Sequence, residues 1–245
     1  MIDTERVALI TGASRGLGLA IARLLAARGV RLVLTARGAE ALGRAADELA
    51  RLTAVAALDG DVADPAHAAR LVDRGLERFG RIDALVNNAS SVGPSPMPPL
   101  ASYPLDRLDE LFQINATAPL RLAQLVLPQM LARRDGVIVN VTSDAAVQAY
   151  PTWGGYGASK AALEQLSRVL AAELEGSGVR VYVVDPGDMN TQMHREAEPG
   201  VDLSHLPGPE VPAPAFVRLL LEERAPFGRF GAPALLELAH AAVRT

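Results

Sequence analysis

The chain has no cysteine among its 245 residues. That excludes disulfides and thiolate-bound metals, and no metal site is expected from the other residues. Lysine is almost as scarce. Of 24 basic residues, 23 are arginine and one is lysine, at Lys160. No apolar run is long enough for a membrane span. The start, MIDTERVALITG, lacks the basic end and long apolar core of a secretion signal. No basic block suggests nucleic acid, and a net charge of −4 is spread over acids and bases mixed along the chain. The expectation is a soluble cytoplasmic protein that works on small molecules, without nucleic-acid or membrane partners.

What is present is ample apolar material. With 49% hydrophobic and 21% charged residues, a sizeable core is expected and disorder is not. Nearly continuous apolar runs at 7–11, 31–36, 54–58, 82–87, 136–142 and 179–184 predict strands covered on both faces. Helical periodicity fills 17–28, 39–51, 65–79, 104–133 and 156–175. Asp64 and Pro65 form a helix start, and Gly29 and Gly80 act as stops. A helix near 211–223 and a short strand near 229–231 complete the alternation. This order implies an α/β fold: one domain over residues 1–245, with a doubly wound parallel sheet and helices on both faces. The stretch at about 187–213, rich in Pro, Gly and acids, is expected to be a lid, because ligands of such sheets lie beyond the strand carboxyl ends.

The segment VALITGASRGLG (7–18) carries two overlapping patterns. Gly12-Ala13-Ser14-Arg15-Gly16 fits the nucleophile elbow of serine hydrolases. An elbow serine should follow a central strand and be served by an acid and a histidine; Ser14 follows the first strand, and only His194 lies in a plausible loop. The second pattern explains more. Gly12, Gly16 and Gly18, with Ser14 and Leu17, make a turn where backbone can approach a pyrophosphate at a helix N-terminus. The second strand narrows the cofactor. Ala36 stands where an NAD site wants an acid, and Arg37 follows it. Arg15 and Arg37 together suit a 2′-phosphate, so NADP(H) is expected.

A second constellation lies in SDAAVQAYPTWGGYGASK (143–160). Tyr156 and Lys160 are four apart and share a helical face. An ammonium beside a phenol favours phenolate, so Lys160 is expected to lower the pKa of Tyr156 from its usual value near 10. Tyr156 then serves as general acid to a carbonyl, or as base in reverse, while Ser143 bonds the same oxygen. Lys160 would also hold the cofactor's ribose hydroxyls.

Taken together, TGASRGLG (11–18), DV (61–62), NNAS (87–90), Asn115 in INAT, Ser143, YGASK (156–160) and PGDMNT (186–191) resemble the short-chain dehydrogenase/reductase family over nearly the whole chain. The resemblance implies a Rossmann fold and hydride transfer with NAD(P). It assigns Asn115, Ser143, Tyr156 and Lys160 to catalysis, with Asn115 helping to hold a water that links Lys160 to solvent. It places Asp61 and Val62 near the adenine, and Asn88 and Ala89 along the cofactor. It counts Pro186 and Gly187 among the cofactor's contacts and sets Thr191 near the nicotinamide amide. Two departures stand out. The family usually has glycine where Ser90 stands, and an Ala/Leu-rich helix replaces its usual glycine-rich last strand. A homodimer or homotetramer is expected, with the helices at 104–133 and 156–175 as pairing faces.

The implied reaction is NADPH-dependent reduction of a ketone or aldehyde. A 3-oxoacyl thioester reductase and a non-catalytic NADP-binding regulator are the alternatives. The substrate pocket is expected from residues 90–104, 144–153 and the lid, with Met97, Leu100, Tyr150, Trp153, Met189 and Met193 as its apolar lining.

Overall fold

The computed structural model describes residues 5–225 and 227–242, with side chains described to residue 237. Seven strands form one parallel sheet: β1 (Val7–Thr11), β2 (Arg31–Ala36), β3 (Val55–Asp59), β4 (Ala84–Asn87), β5 (Gly136–Val141), β6 (Val179–Asp185) and β7 (Phe227–Gly231). Their order is β3-β2-β1-β4-β5-β6-β7. The chain winds outward from β1 in one direction, then returns to start again at β4. The crevice beyond the ends of β1 and β4 is therefore the switch point, where such sheets bind ligands.

Alternation along each strand sends side chains to two separate apolar layers. Ile10 joins one layer with Ile21 and Leu25 of α1 (Gly16–Ala26) and Phe216 and Leu219 of α8 (Ala213–Leu221). Its neighbour Leu9 joins the other, with Leu71 of α3 (Pro65–Phe79) and Leu122 and Val126 of α5 (Ala118–Arg133). Helix α2 is Ala39–Leu49, α4 is Leu105–Phe112, α6 is Gly154–Glu173, α7 is Gln192–Ala197 and α9 is Ala232–Ala242. The expected strands and helices are all found, most with ends moved by one or two residues. Strand β4 starts at Ala84 rather than at residue 82.

Two segments differ from the expectation. The single helix predicted over 104–133 is α4 and α5 joined by a π-helical turn at Gln113–Thr117. Such wide turns place a side chain out of the regular row, and this one carries Asn115. The stretch after β6 is not wholly irregular. Thr191 caps α7, its Oγ1 accepting from the His194 backbone N–H at 3.3 Å.

Candidate active site

The glycine turn is built by close packing on the end of β4. Asn88 Nδ2 donates to the carbonyls of Thr11 (2.9 Å) and Gly12 (3.2 Å). Thr11 Oγ1 accepts from the backbone N–H groups of Asn88 (3.0 Å) and Ala89 (2.9 Å). A Cβ on Gly18 would lie 2.5 Å from the Gly12 carbonyl oxygen, so only glycine fits there. Gly16 differs. Its φ is +55°, and a Cβ there would meet nothing within 4 Å. Arg15, in extended backbone, precedes α1, and no side chain caps the helix. The first N–H groups of α1 therefore face an open cradle, the arrangement a phosphate needs.

A groove of about 550 Å³ runs from this turn along the switch point. It is lined by Arg37, Asp61 and Val62 and by Gly12, Ser14, Arg15, Gly16 and Leu17. Asn88, Ala89, Pro186, Thr191, Tyr156 and Lys160 line it too. Gly18 is not in that lining and packs against Gly12 and Asn88, while Gly187 lines a neighbouring cavity. Arg15 and Arg37 are the cations of this lining that the sequence singled out, and the first amides of α1 lie at the turn.

That neighbouring cavity, of about 290 Å³, contains Ser143, Tyr150, Trp153, Tyr156 and Gly187. Groove and cavity share Thr142, Tyr156, Pro186, Met189, Thr191 and Met193. The expected apolar lining is only partly right. Val92, Tyr150, Trp153, Met189 and Met193 line the cavity, but Met97 packs in the cluster behind it. Leu100 is 64% exposed and lies against Gly154. Asp144, Asp185, Asp188, His194 and Glu198 supply a polar half that was not anticipated. These acids come from separate strand and helix ends, so no local pattern marks them.

Tyr156 and Lys160 are sealed by the fold, at 6% and 2% exposure. Lys160 Nζ donates to the Val141 carbonyl at 2.8 Å and lies 5.6 Å from the Tyr156 ring centroid. The expectation that Lys160 lowers the phenol's pKa is not met here. Burial pushes Tyr156 well above its ordinary range, opposed by the facing hydroxyls of Ser143 and Ser90; Asp185 and Asp144 push it further up. Burial also pulls Lys160 down to about 7. Desolvation is the largest cause in both cases, and it shifts each group towards its neutral form. At neutral pH the phenol carries its proton and is an acid.

Asn115 stands behind this pair and lines neither space. Its Oδ1 accepts from Ser90 Oγ (3.1 Å) and the Ser91 N–H (2.9 Å). Its Nδ2 donates to the Ser91 carbonyl (2.8 Å) and Ser159 Oγ (2.9 Å). The amide's bonding capacity is thus filled by protein. Ser143 caps the short turn at Asp144–Ala146, accepting from the Ala145 N–H at 3.2 Å and donating to Asp144 Oδ1 at 3.0 Å. Gln192 is a contact that the sequence did not suggest. Its Oε1 takes Arg15 Nη1 from across the groove. Arg37 is exposed in the groove's lining. The hydrolase pattern finds no support. His67 is bonded to Thr35 and His194 to Glu198, and neither meets Ser14.

A family model described as "short chain dehydrogenase" matches residues 6–202. The chain is 39% identical over 197 residues to 2-(R)-hydroxypropyl-CoM dehydrogenase of Xanthobacter autotrophicus, covering 77% of this chain and 76% of that one. It is 38% identical over 195 residues to a rhamnolipids biosynthesis 3-oxoacyl-[acyl-carrier-protein] reductase of Pseudomonas aeruginosa, covering 78% and 75%. Among solved structures, a metagenomic short-chain oxidoreductase in complex with NADP superposes with a TM-score of 0.78 at 31% identity, over 93% of this chain and 97% of that one. With its parallel sheet and its groove at the switch point, the chain belongs to the short-chain dehydrogenase/reductase family, oxidoreductases of hydroxyl and carbonyl groups that use NAD or NADP.

Proposed function

We propose that the protein is an NADPH-dependent carbonyl reductase that converts a ketone or aldehyde to an alcohol. One observation carries this reading: the Tyr156 phenol stands in the wall shared by the nucleotide groove and the smaller cavity. NADPH, when bound, supplies the hydride. Arg15 and Arg37 hold the 2′-phosphate by charge-assisted hydrogen bonds, and the first amides of α1 hold the pyrophosphate. Asp61 and Val62 border the adenine. Lys160 binds the ribose hydroxyls, and Pro186, Gly187 and Thr191 steady the nicotinamide end. The substrate enters the smaller cavity with its carbonyl oxygen towards Ser143 and Tyr156. Ser143 donates to that oxygen, and Tyr156 gives it a proton as general acid. Residues 187–213 act as a lid over the cavity.

The test is NADPH oxidation over a panel of ketones, aldehydes and quinones, run beside Tyr156→Phe. We expect turnover by the parent and at least a hundredfold loss in the variant, with NADPH binding retained. A variant that turns over normally would remove Tyr156 from the mechanism. Tight NADPH binding with no turnover anywhere in the panel would favour a regulatory binder instead.

A second reading is a 3-oxoacyl thioester reductase, suggested by the likeness to the Pseudomonas aeruginosa enzyme. The cavity weighs against an anionic substrate, since Asp144, Asp185, Asp188 and Glu198 line it and, among the described residues, no Arg or Lys does. Comparing an acetoacetyl thioester with simple ketones separates the two.

A further inference from the structure

The smaller cavity holds charge that carbonyl reduction by itself does not use. Four carboxylates line it: Asp144 after β5, Asp185 at the end of β6, Asp188 beyond it, and Glu198 after α7. Among the described residues no Arg or Lys lines it. His194 is in the lining, its Nε2 3.1 Å from Glu198 Oε2, and on protonation it offsets one charge of the four. Arg229 comes close enough to donate to the Ser143 carbonyl at 3.4 Å, but its Nε is held by Glu164. The hydrogen bonds to Asp144 and Asp185 come from neutral donors. Asp144 accepts from Ser143 Oγ at 3.0 Å and from the Tyr150 O–H at 2.7 Å, and Asp185 accepts from the Gly187 N–H at 2.9 Å. Such donors hold a carboxylate in place without cancelling its charge.

An aromatic corner shares this cavity. Tyr150 and Trp153 meet edge to face with ring centroids 6.5 Å apart, and Trp153 meets Tyr156 in the same manner at 5.7 Å. The bond to Asp144 sets the Tyr150 ring beside a carboxylate. Aromatic rings flanked by carboxylates suit an alkylated ammonium, whose charge and methyl groups the ring faces attract. A neutral, apolar guest fares worse, because it drives water off the acids and puts nothing in its place. Tyr156 makes this more than a patch of acids. It is 6% exposed and stands in the same lining, so whatever fills the cavity lies against the proton donor.

We infer that the cavity takes a ketone or aldehyde that carries a cationic amino group, a tertiary or quaternary ammonium close to the carbonyl. The inference rests on the reductase reading above and narrows its substrate. The chemistry is unaltered: the carbonyl carbon gains the hydride from NADPH, its oxygen gains the proton from Tyr156 Oη, and the ammonium is unchanged.

The experiment uses two ketones of one shape, acetonyltrimethylammonium and 4,4-dimethyl-2-pentanone, in which a quaternary nitrogen replaces a quaternary carbon. The charge also activates the carbonyl, so KM and direct binding decide rather than kcat. The KM of the cationic ketone should be at least about tenfold lower. Combining Asp188→Asn with Glu198→Gln should cut that ratio at least about fivefold, and salt at about 0.5 M should narrow it. Trp153→Leu should weaken the cationic ketone more than the neutral one. A second readout needs no turnover. Trp153 is the only tryptophan of the chain, so its fluorescence reports on the cavity directly. Titrated with the two product alcohols, the protein should bind the ammonium alcohol at least about tenfold more tightly, and calorimetry repeats the comparison with NADPH bound.

A neutral partner that matches or beats the cation in both KM and affinity would overturn the proposal. So would a preference that survives unchanged in the Asp188→Asn, Glu198→Gln protein, since the acids would then not be its source. Turnover of neither ketone, or normal turnover by Tyr156→Phe, would instead sink the reductase reading, and the tryptophan titration would still decide the charge preference of the cavity.

Discussion

Arg229 on β7 meets Glu164 on α6 through Nε, at 2.9 and 3.1 Å from the two carboxylate oxygens. Glu164 is buried one turn beyond Lys160, and it also accepts from Thr142 Oγ1 at 2.8 Å. This pair binds the last strand to the helix that carries Tyr156 and Lys160. Arg229→Ala leaves a buried carboxylate with less compensation. Arg168, at 3.2 Å, remains and softens the loss. We expect a destabilisation of about 2 kcal/mol, below the usual cost of breaking a buried pair. Urea unfolding checks this, and a change below about 0.5 kcal/mol would show the pair to be expendable.

Cofactor choice should turn on Arg37. It is exposed in the groove's lining, one residue after Ala36, which stands where an NAD site carries an acid. Arg37→Asp removes a charge-assisted bond to the 2′-phosphate and adds repulsion. NADPH affinity should fall at least tenfold, and the preference should reverse towards NADH. Titrating both cofactors by fluorescence decides it. An unchanged preference would break the 2′-phosphate argument.

Lys160 makes the cofactor-free protein sensitive to pH. Its ordinary value of 10.5 is pulled down to about 7 by burial. Between those values the unfolded chain binds a proton that the folded protein does not, so stability rises as pH climbs from 7 to 10.5. Below 7 the penalty is complete. Lys160→Met removes it, so the variant should gain more stability at pH 6 than at pH 9, by about 3 kcal/mol. Unfolding both proteins at the two pH values tests this; equal gains would mean that Lys160 stays charged throughout. The variant should be inactive.

The two glycines of the turn should fail in different ways. In Gly18→Ala the methyl lands 2.5 Å from the Gly12 carbonyl oxygen and 2.6 Å from Asn88 Nδ2. The turn must shift, costing about 1–3 kcal/mol of stability. In Gly16→Ala nothing is struck, and the left-handed backbone costs about 1 kcal/mol. Its methyl stands in the cradle, so NADPH binding should suffer more than folding. Calorimetry with and without NADPH separates the two effects.

Much of this was written in the sequence. Strands buried on both faces read as apolar runs, and Tyr156 and Lys160 share a face because their spacing matches a helical turn. What spacing does not carry is solvent. It brings phenol and ammonium together but is silent on how deeply α6 is covered, and that depth reverses the expected direction at Tyr156. The π-turn at Gln113–Thr117 was hidden because apolar periodicity continues smoothly across it. The acidic side of the smaller cavity was invisible for another reason. Asp144 follows β5, while Asp185 ends β6 and Asp188 follows it, and only the sheet order makes them neighbours.

The wall common to both spaces limits how this enzyme can be altered. A bulkier side chain at Met189 or Met193 narrows groove and cavity alike, so grip on the nucleotide and choice of substrate change together. Arg37 borders the groove alone and Trp153 the cavity alone. Drift in substrate range with the cofactor left untouched has its open route at Trp153, and a swap of cofactor with the substrate kept has its route at Arg37.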